Sequence, residues 1–86
     1  MLTLPSNVSV LLHRDPVDIR KSFDGLLGII RGDLRVDPFT PTFFIFFNKP
    51  RDKIKIFYWD NDGFAIWYKK LEAEGIHIFV FTKVGR

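Results

Sequence analysis

The sequence predicts an α+β fold: one amphipathic helix packed on one face of an antiparallel, curved sheet of about five strands, in the order β-α-β-β-β-β. Three observations carry that expectation. Apolar residues recur at helical spacing only between residues 15 and 34. After residue 41 the chain is built of strand-length apolar or alternating pieces separated by turn residues. Within them, Asn61-Asp62-Gly63 separates two arms rich in Ile, Phe, Tyr and Trp, a strong local signal for a tight hairpin.

The elements follow in order. Val8, Val10 and Leu12 alternate with Asn7, Ser9 and Leu11, which predicts a short first strand. Asp15-Pro16 then predicts a helix start. An Asp carboxylate accepts hydrogen bonds from the free amides of a first turn, and Pro at the first helical position gives up an N–H that was unpaired anyway. Asp18 adds negative charge at the positive end of the helix dipole. Ile19, Phe23, Leu26, Leu27, Ile30 and Leu34 form one apolar face of about four turns, and Gly32 is a plausible stop. Gly25 and Gly28 are expected to allow close packing against the sheet, at a cost of about 1 kcal/mol each relative to Ala. Residues 36–41 contain two prolines and read as a connector.

Residues 42–48 form a strand apolar on both faces, the pattern of a central strand covered on both sides. Lys49-Pro50-Arg51-Asp52 is a turn, and Pro41, Lys49 and Pro50 guard the apolar run against edge pairing. In the hairpin, Ile54, Ile56 and Tyr58 alternate against Lys55, Phe57 and Trp59. On the second arm Phe64, Ile66 and Tyr68 alternate against Ala65, Trp67 and Lys69. Residues 72–75 read as a second turn and residues 76–82 as a final strand. One helix covers one face, so regular registers leave Phe44, Phe46, Phe57, Trp59, Trp67, Phe79 and Phe81 on a face that needs another cover. Sheet curvature, a protein partner or second copy, or stacked bases would each supply it.

The 86 residues make one domain, residues 1–86, with 47% hydrophobic residues and ten Phe demanding a packed interior. There is no cysteine, so disulfides and thiolate metal sites are excluded. Residues 1–10 lack the pattern of a signal peptide, and the longest apolar run, residues 43–47, is far short of the roughly 20 residues that span a bilayer. A cytoplasmic protein without membrane contact is the expectation. The net charge of +3 lies entirely in residues 44–86, and favours anionic partners.

The residues expected to meet nucleic acid or a partner are Arg20 and Lys21 in the predicted first helical turns, and Arg51, Lys53, Lys55, Trp59, Trp67, Tyr68, Lys69 and Lys70 on or beside the hairpin. Cations neutralise phosphates and rings stack on bases, as on single-strand-binding surfaces. The competing reading is that strand lysines only keep the sheet soluble. Asp52, Asp60 and Asp62 raise a metal-dependent nuclease as a remote alternative. Asp60-Asn61-Asp62-Gly63 is, however, explained by turn chemistry, and it lacks the further ligands of a calcium loop. His13 and His77 are isolated, and no nucleophile–base arrangement or phosphate loop occurs. No enzyme activity, cofactor, metal or small-molecule substrate is expected.

Several segments carry a family resemblance: Leu4-Pro5-Ser6, residues 18–26 (DIRKSFDGL), Asp37-Pro38-Phe39, Lys53-Ile54-Lys55-Ile56, Trp59-Asp60, Gly63-Phe64, Tyr68-Lys69-Lys70-Leu71-Glu72 and Gly75. In these the chain resembles the TnpB-type accessory protein, encoded by the second reading frame, of the bacterial insertion-sequence family numbered sixty-six. It departs from that pattern with Ser22 and Asn7 where the family has Gly. It also has Ile76-His77-Ile78-Phe79 where a Phe-x-Trp-Pro ending is common, and so reads as a short or C-terminally truncated member. The resemblance implies a non-enzymatic helper of transposition whose partners are element DNA, the cognate transposase proteins, or both. A protein-binding adaptor or homodimeric scaffold without DNA contact is the alternative.

Overall fold

The computed structural model describes residues 7–72. The expected turn at 72–75 and strand at 76–82 lie essentially outside the described residues. Within them, four strands form one open mixed sheet in the order β1-β2-β3-β4: β1 is Ser9–Leu12, β2 is Thr42–Phe47, β3 is Lys53–Asp60 and β4 is Gly63–Lys70. A helix, α1 (Phe23–Ile29), lies between β1 and β2 in sequence and runs directly into a π-helical turn, Ile30–Leu34. The α+β class holds. The all-antiparallel meander does not, because β1 pairs parallel to β2, with Val10 opposite Phe43. Parallel neighbours need a crossover of a dozen or more residues, and the helical segment supplies it.

The helix starts later than Asp15-Pro16 predicts. After β1 the chain bends at Arg14 and Asp15 but stays tied to β2: the His13 N–H donates to the Ile45 carbonyl at 2.9 Å and the Val17 N–H to the Phe47 carbonyl at 2.8 Å. Those sheet bonds hold residues 13–17 out of a helical conformation, so the local capping preference of Asp15 is overridden. Asp18 instead closes a tight turn, accepting the Arg20 N–H at 3.0 Å on its carboxylate and the Lys21 N–H at 3.0 Å on its carbonyl. Ser22 is the residue before the first helical turn, and its carbonyl accepts the Leu26 N–H at 2.9 Å. The helical segment ends at Arg35, whose left-handed φ of 54° turns the chain towards β2.

β2–β3 and β3–β4 are antiparallel. The β2–β3 turn is organised by the buried Asn48. Its carboxamide oxygen accepts the N–H groups of Asp52 at 3.1 Å and Lys53 at 3.0 Å, and its NH₂ donates to the Asp52 carboxylate at 2.7 Å. In the β3–β4 hairpin Asp60 faces Gly63, leaving a two-residue loop. The left-handed position there is taken by Asn61 with φ 59°, not by Gly63. Asn tolerates that conformation because its short polar side chain bonds locally.

The core divides by sheet face. Leu26 and Ile30 pack on Phe44, Phe46 and Phe57, with Leu11, Val17, Leu34, Phe64 and Ile66 around them. On the other face Phe43, Ile45, Phe47, Ile54 and Ile56 form a second buried cluster with Val10, Leu12, Tyr58 and Trp67. Phe44, Phe46 and Phe57, expected to lie opposite the helix, are therefore the residues it covers. Trp59 and Trp67 do not share a face: Trp59 faces Phe64 across the strands, and Trp67 faces Ile56. Both faces of β2 are buried within the single chain, so no second copy is required to cover that strand. Of the two glycines expected to admit close packing, Gly28 has open space around it. A Cβ at Gly25 would meet the Lys21 side chain at 3.1 Å, not the sheet.

Candidate nucleic-acid interface

The side of β3 and β4 that faces α1 gathers half of the residues singled out from the sequence. Alternation along β3 places Lys53, Lys55, Phe57 and Trp59 on that side. Their partners across the ladder are Lys70, Tyr68, Ile66 and Phe64 in turn. α1 covers the β2 and β3 part of this surface through Phe44, Phe46 and Phe57. Towards β4 the cover ends: Phe64 and Ile66 are half-buried, and Tyr68 and Lys70 are exposed.

Lys55 is the hinge of the site. It is 8% exposed, yet its Nζ donates to the Lys21 carbonyl at 2.8 Å and lies 4.8 Å from the centre of the Tyr68 ring. Burial pushes its pKa below the ordinary lysine value, while the Asp18 carboxylate pulls the other way. The bond to the Lys21 carbonyl ties the segment leading into α1 to the middle of the sheet. One residue earlier Arg20 is engaged by Asp18, with Arg20 Nε and a terminal nitrogen 3.0 Å and 2.7 Å from its two carboxylate oxygens. That guanidinium holds the Asp18 carboxyl well below the usual carboxylate range, with the Arg20 N–H adding to the effect.

At the end of the ladder Lys53 and Lys70 stand directly opposite each other. Like charges in that position repel, and an anion between or above them would relieve the repulsion. Asp52 supplies part of that relief. Its carboxyl is held below the ordinary value chiefly by the Asn48 side chain, and also by the charges of Lys53 and Lys70.

At the hairpin-turn end the face is aromatic. The Trp59 and Phe64 rings meet edge-on at 5.0 Å, and Phe64 also packs on Phe57 at 5.0 Å. Phe39, from the connector before β2, seats on this pair, 4.9 Å from Trp59 and 5.2 Å from Phe64. Phe39 is 49% exposed, and Phe23, at the start of α1 beside Phe57, is 46% exposed.

Trp67, Lys69 and Arg51 fall elsewhere. The Lys69 ammonium lies 5.6 Å from the Trp67 ring on the opposite face, and Arg51 sits over Phe47 at 5.3 Å, on that same side. Arg51 occupies a left-handed position, φ 62°, in the β2–β3 turn.

The family model described as "IS66 Orf2 like protein" matches residues 8–83. The chain belongs to that family. It is 33% identical over 76 residues to the uncharacterized protein y4jC of Sinorhizobium fredii (strain NBRC 101917 / NGR234), a match covering 88% of this chain and 64% of that protein. The chain thus spans just under two thirds of the length of the curated relative it matches. No solved structure matches.

For this IS66 Orf2-like chain the structure brings Lys53, Lys55, Tyr68 and Lys70 together, with Trp59 on the same face and the Lys21 carbonyl bonded to Lys55. It separates Trp67, Lys69 and Arg51 from them. Sequence reasoning missed Phe23 and Phe39 as members of this surface. Phe23 was assigned to the buried helix face, and Phe39 lay in a stretch without periodicity. The available signal was that a large ring in a proline-flanked connector has no helix or strand face of its own to be buried in. Asp60 pairs at the end of β3 and Asp62 lies in the hairpin loop, and among the described residues no three His, Asp or Glu side chains gather as a metal site. Nor is any helix among them long and apolar enough to cross a membrane.

Proposed function

We propose that this chain is a non-enzymatic accessory protein of insertion-sequence transposition that binds element DNA through the α1 side of β3 and β4. The observation that carries the reading is the ladder that sets Lys53 opposite Lys70 next to the buried Lys55 and the exposed Tyr68. The repulsion of the cross-strand Lys53–Lys70 pair is offset in part by Asp52, and backbone phosphates are suitable anions to offset the rest. Family membership supports the transposition setting. A second reading, an adaptor that docks on the cognate transposase proteins, is favoured by the exposed rings of Phe23 and Phe39.

Binding of a duplex carrying the element end, followed against salt concentration, tests the DNA reading. Neutralising Z phosphates gives a log–log slope of about −0.9Z. The double variant Lys53→Glu, Lys70→Glu is expected to weaken binding by at least about tenfold at low salt and to flatten the slope by about 2. Absence of any binding by the unaltered chain to duplex or single-stranded element DNA at low salt would overturn the reading.

A further inference from the structure

We propose that this face takes single-stranded DNA, with its exposed rings stacking on unpaired bases; this rests on the DNA-binding reading and names the substrate form. Among the described residues, the exposed large apolar side chains are Phe23, Phe39 and Tyr68. All three are aromatic, and all three lie on the α1 side of β3 and β4. Scattered surface apolar residues need no explanation, but three rings on one face beside the Lys53–Lys70 pair do.

Each ring is braced from below and open above. Phe39 rests on Trp59 and Phe64, Phe23 on Phe57, and Tyr68 on the Lys55 ammonium, which is itself anchored to the Lys21 carbonyl. A ring held in place loses little freedom when a base stacks on it. The rings are also spread out. Tyr68 lies four residues along β4 from Phe64, the ring under Phe39, which is roughly 13 Å at about 3.3 Å per residue. That separation suits successive bases of an extended strand, not one small ligand. Lys53 and Lys70, beyond Tyr68 on the ladder, supply charge for the phosphates running between bases.

Duplex DNA fits this arrangement less well. Its base faces are closed in the stack, and what its grooves present is donors, acceptors and thymine methyls. Phe23 and Phe39 carry no donor or acceptor for those edges. The hairpin cannot enter a major groove with this side leading, because α1 and the 36–41 connector stand on it.

The test compares a fluorescently labelled oligothymidylate of about 20 nucleotides, an abasic strand of the same charge, and a duplex of the same length, by anisotropy at one salt concentration. The full chain is expected to bind oligothymidylate at least about tenfold more tightly than either the abasic strand or the duplex. Phe39→Ala and Tyr68→Ala should each weaken oligothymidylate binding by about 5- to 100-fold and leave abasic-strand binding within about twofold. Phe39→Trp, which keeps a ring, should retain tight binding; circular dichroism of each variant checks the fold. The abasic comparison uses the unaltered chain, so it decides even where a variant fails to fold. Equal affinity for the abasic strand, or tighter binding of the duplex, overturns the inference while the DNA-binding reading stands. Loss of transposase co-purification in Phe39→Ala, with oligothymidylate affinity unchanged, also overturns it. Failure to bind any of the probes, or the element-end duplex, overturns both.

Discussion

β2 and β4 are both rich in aromatic and β-branched residues, yet they end in opposite environments. All six residues of β2 are buried, Phe44 and Phe46 under α1 and Phe43 and Phe47 on the other side. None of the eight residues of β4 is fully buried, and its last three, Tyr68, Lys69 and Lys70, are exposed. The difference lies in position in the sheet, not in the rings. β2 is flanked by β1 and β3 and roofed by Leu26 and Ile30, whereas α1 does not reach across to cover β4. An aromatic residue in a strand therefore has no fixed role. In β2 it is core, and in β4 it is half-buried or exposed.

The largest expected consequence of that contrast is in stability. Phe57→Ala, beneath α1, should destabilise the fold by about 3–5 kcal/mol, and Tyr68→Ala, two ladder positions away on the same side, by under about 1 kcal/mol. Denaturant unfolding of the two variants measures it, and similar losses would mean that Tyr68 is core after all. A loss confined to Tyr68→Ala in the binding assays would complete the division of roles.

A smaller effect is expected at Lys55, where the two environments meet. Lys55→Met should cost less than about 1.5 kcal/mol at neutral pH, since the lost bond to the Lys21 carbonyl is offset by removing a buried charge. Its pH dependence is more telling. The folded pKa lies below the ordinary lysine value, so the unfolded chain holds the proton to higher pH than the folded chain does. The cost of burying the charge is complete below the folded pKa and disappears as pH rises from there towards 10.5. Wild type should accordingly gain stability relative to Lys55→Met as pH is raised through that window. A stability gap independent of pH would show that Lys55 is not desolvated.

The smallest effect belongs to Asp18, whose carboxylate clamps Arg20 on the surface. Its folded pKa is depressed, so the stabilisation is present above the ordinary carboxylate value and is lost as pH falls through the folded one. Acid titration followed by unfolding should show wild type losing stability more steeply than Asp18→Asn below about pH 4. Parallel curves would reduce the clamp to an ordinary screened surface pair.

Much of the fold was legible because its signals are local. The uninterrupted apolar run of residues 42–47 marked a strand covered on both sides, and Asn61 placed a two-residue bend between β3 and β4. The start of α1 was misplaced for a definite reason. Asp15-Pro16 has the chemistry of a helix cap, but the sheet offers the amides of His13 and Val17 carbonyl partners on β2, and those bonds lie 32 and 30 residues away in sequence. Capping preferences of about 1 kcal/mol yield to such tertiary competition. Of the candidate surface, Lys53, Lys55, Tyr68 and Lys70 could be recognised from cations alternating with rings. The separation of Trp59 from Trp67 could not, because it depends on the register across the hairpin: a two-residue loop sets Trp67 opposite Ile56 and sends it to the other face.

From the residues alone followed the α+β class, the helical and hairpin segments, the resemblance to the IS66 accessory family and the basic-aromatic character of the hairpin. Each depends on neighbours in sequence: periodicity, turn chemistry, and composition within a few residues. Only the tertiary structure decided which face those side chains occupy. It pairs β1 parallel to β2, seats Phe39 on Trp59 and Phe64, draws the Lys21 carbonyl onto Lys55, and leaves β4 beyond the reach of α1. Those outcomes come from hydrogen bonds and ring contacts between residues far apart in the chain, which no local pattern encodes.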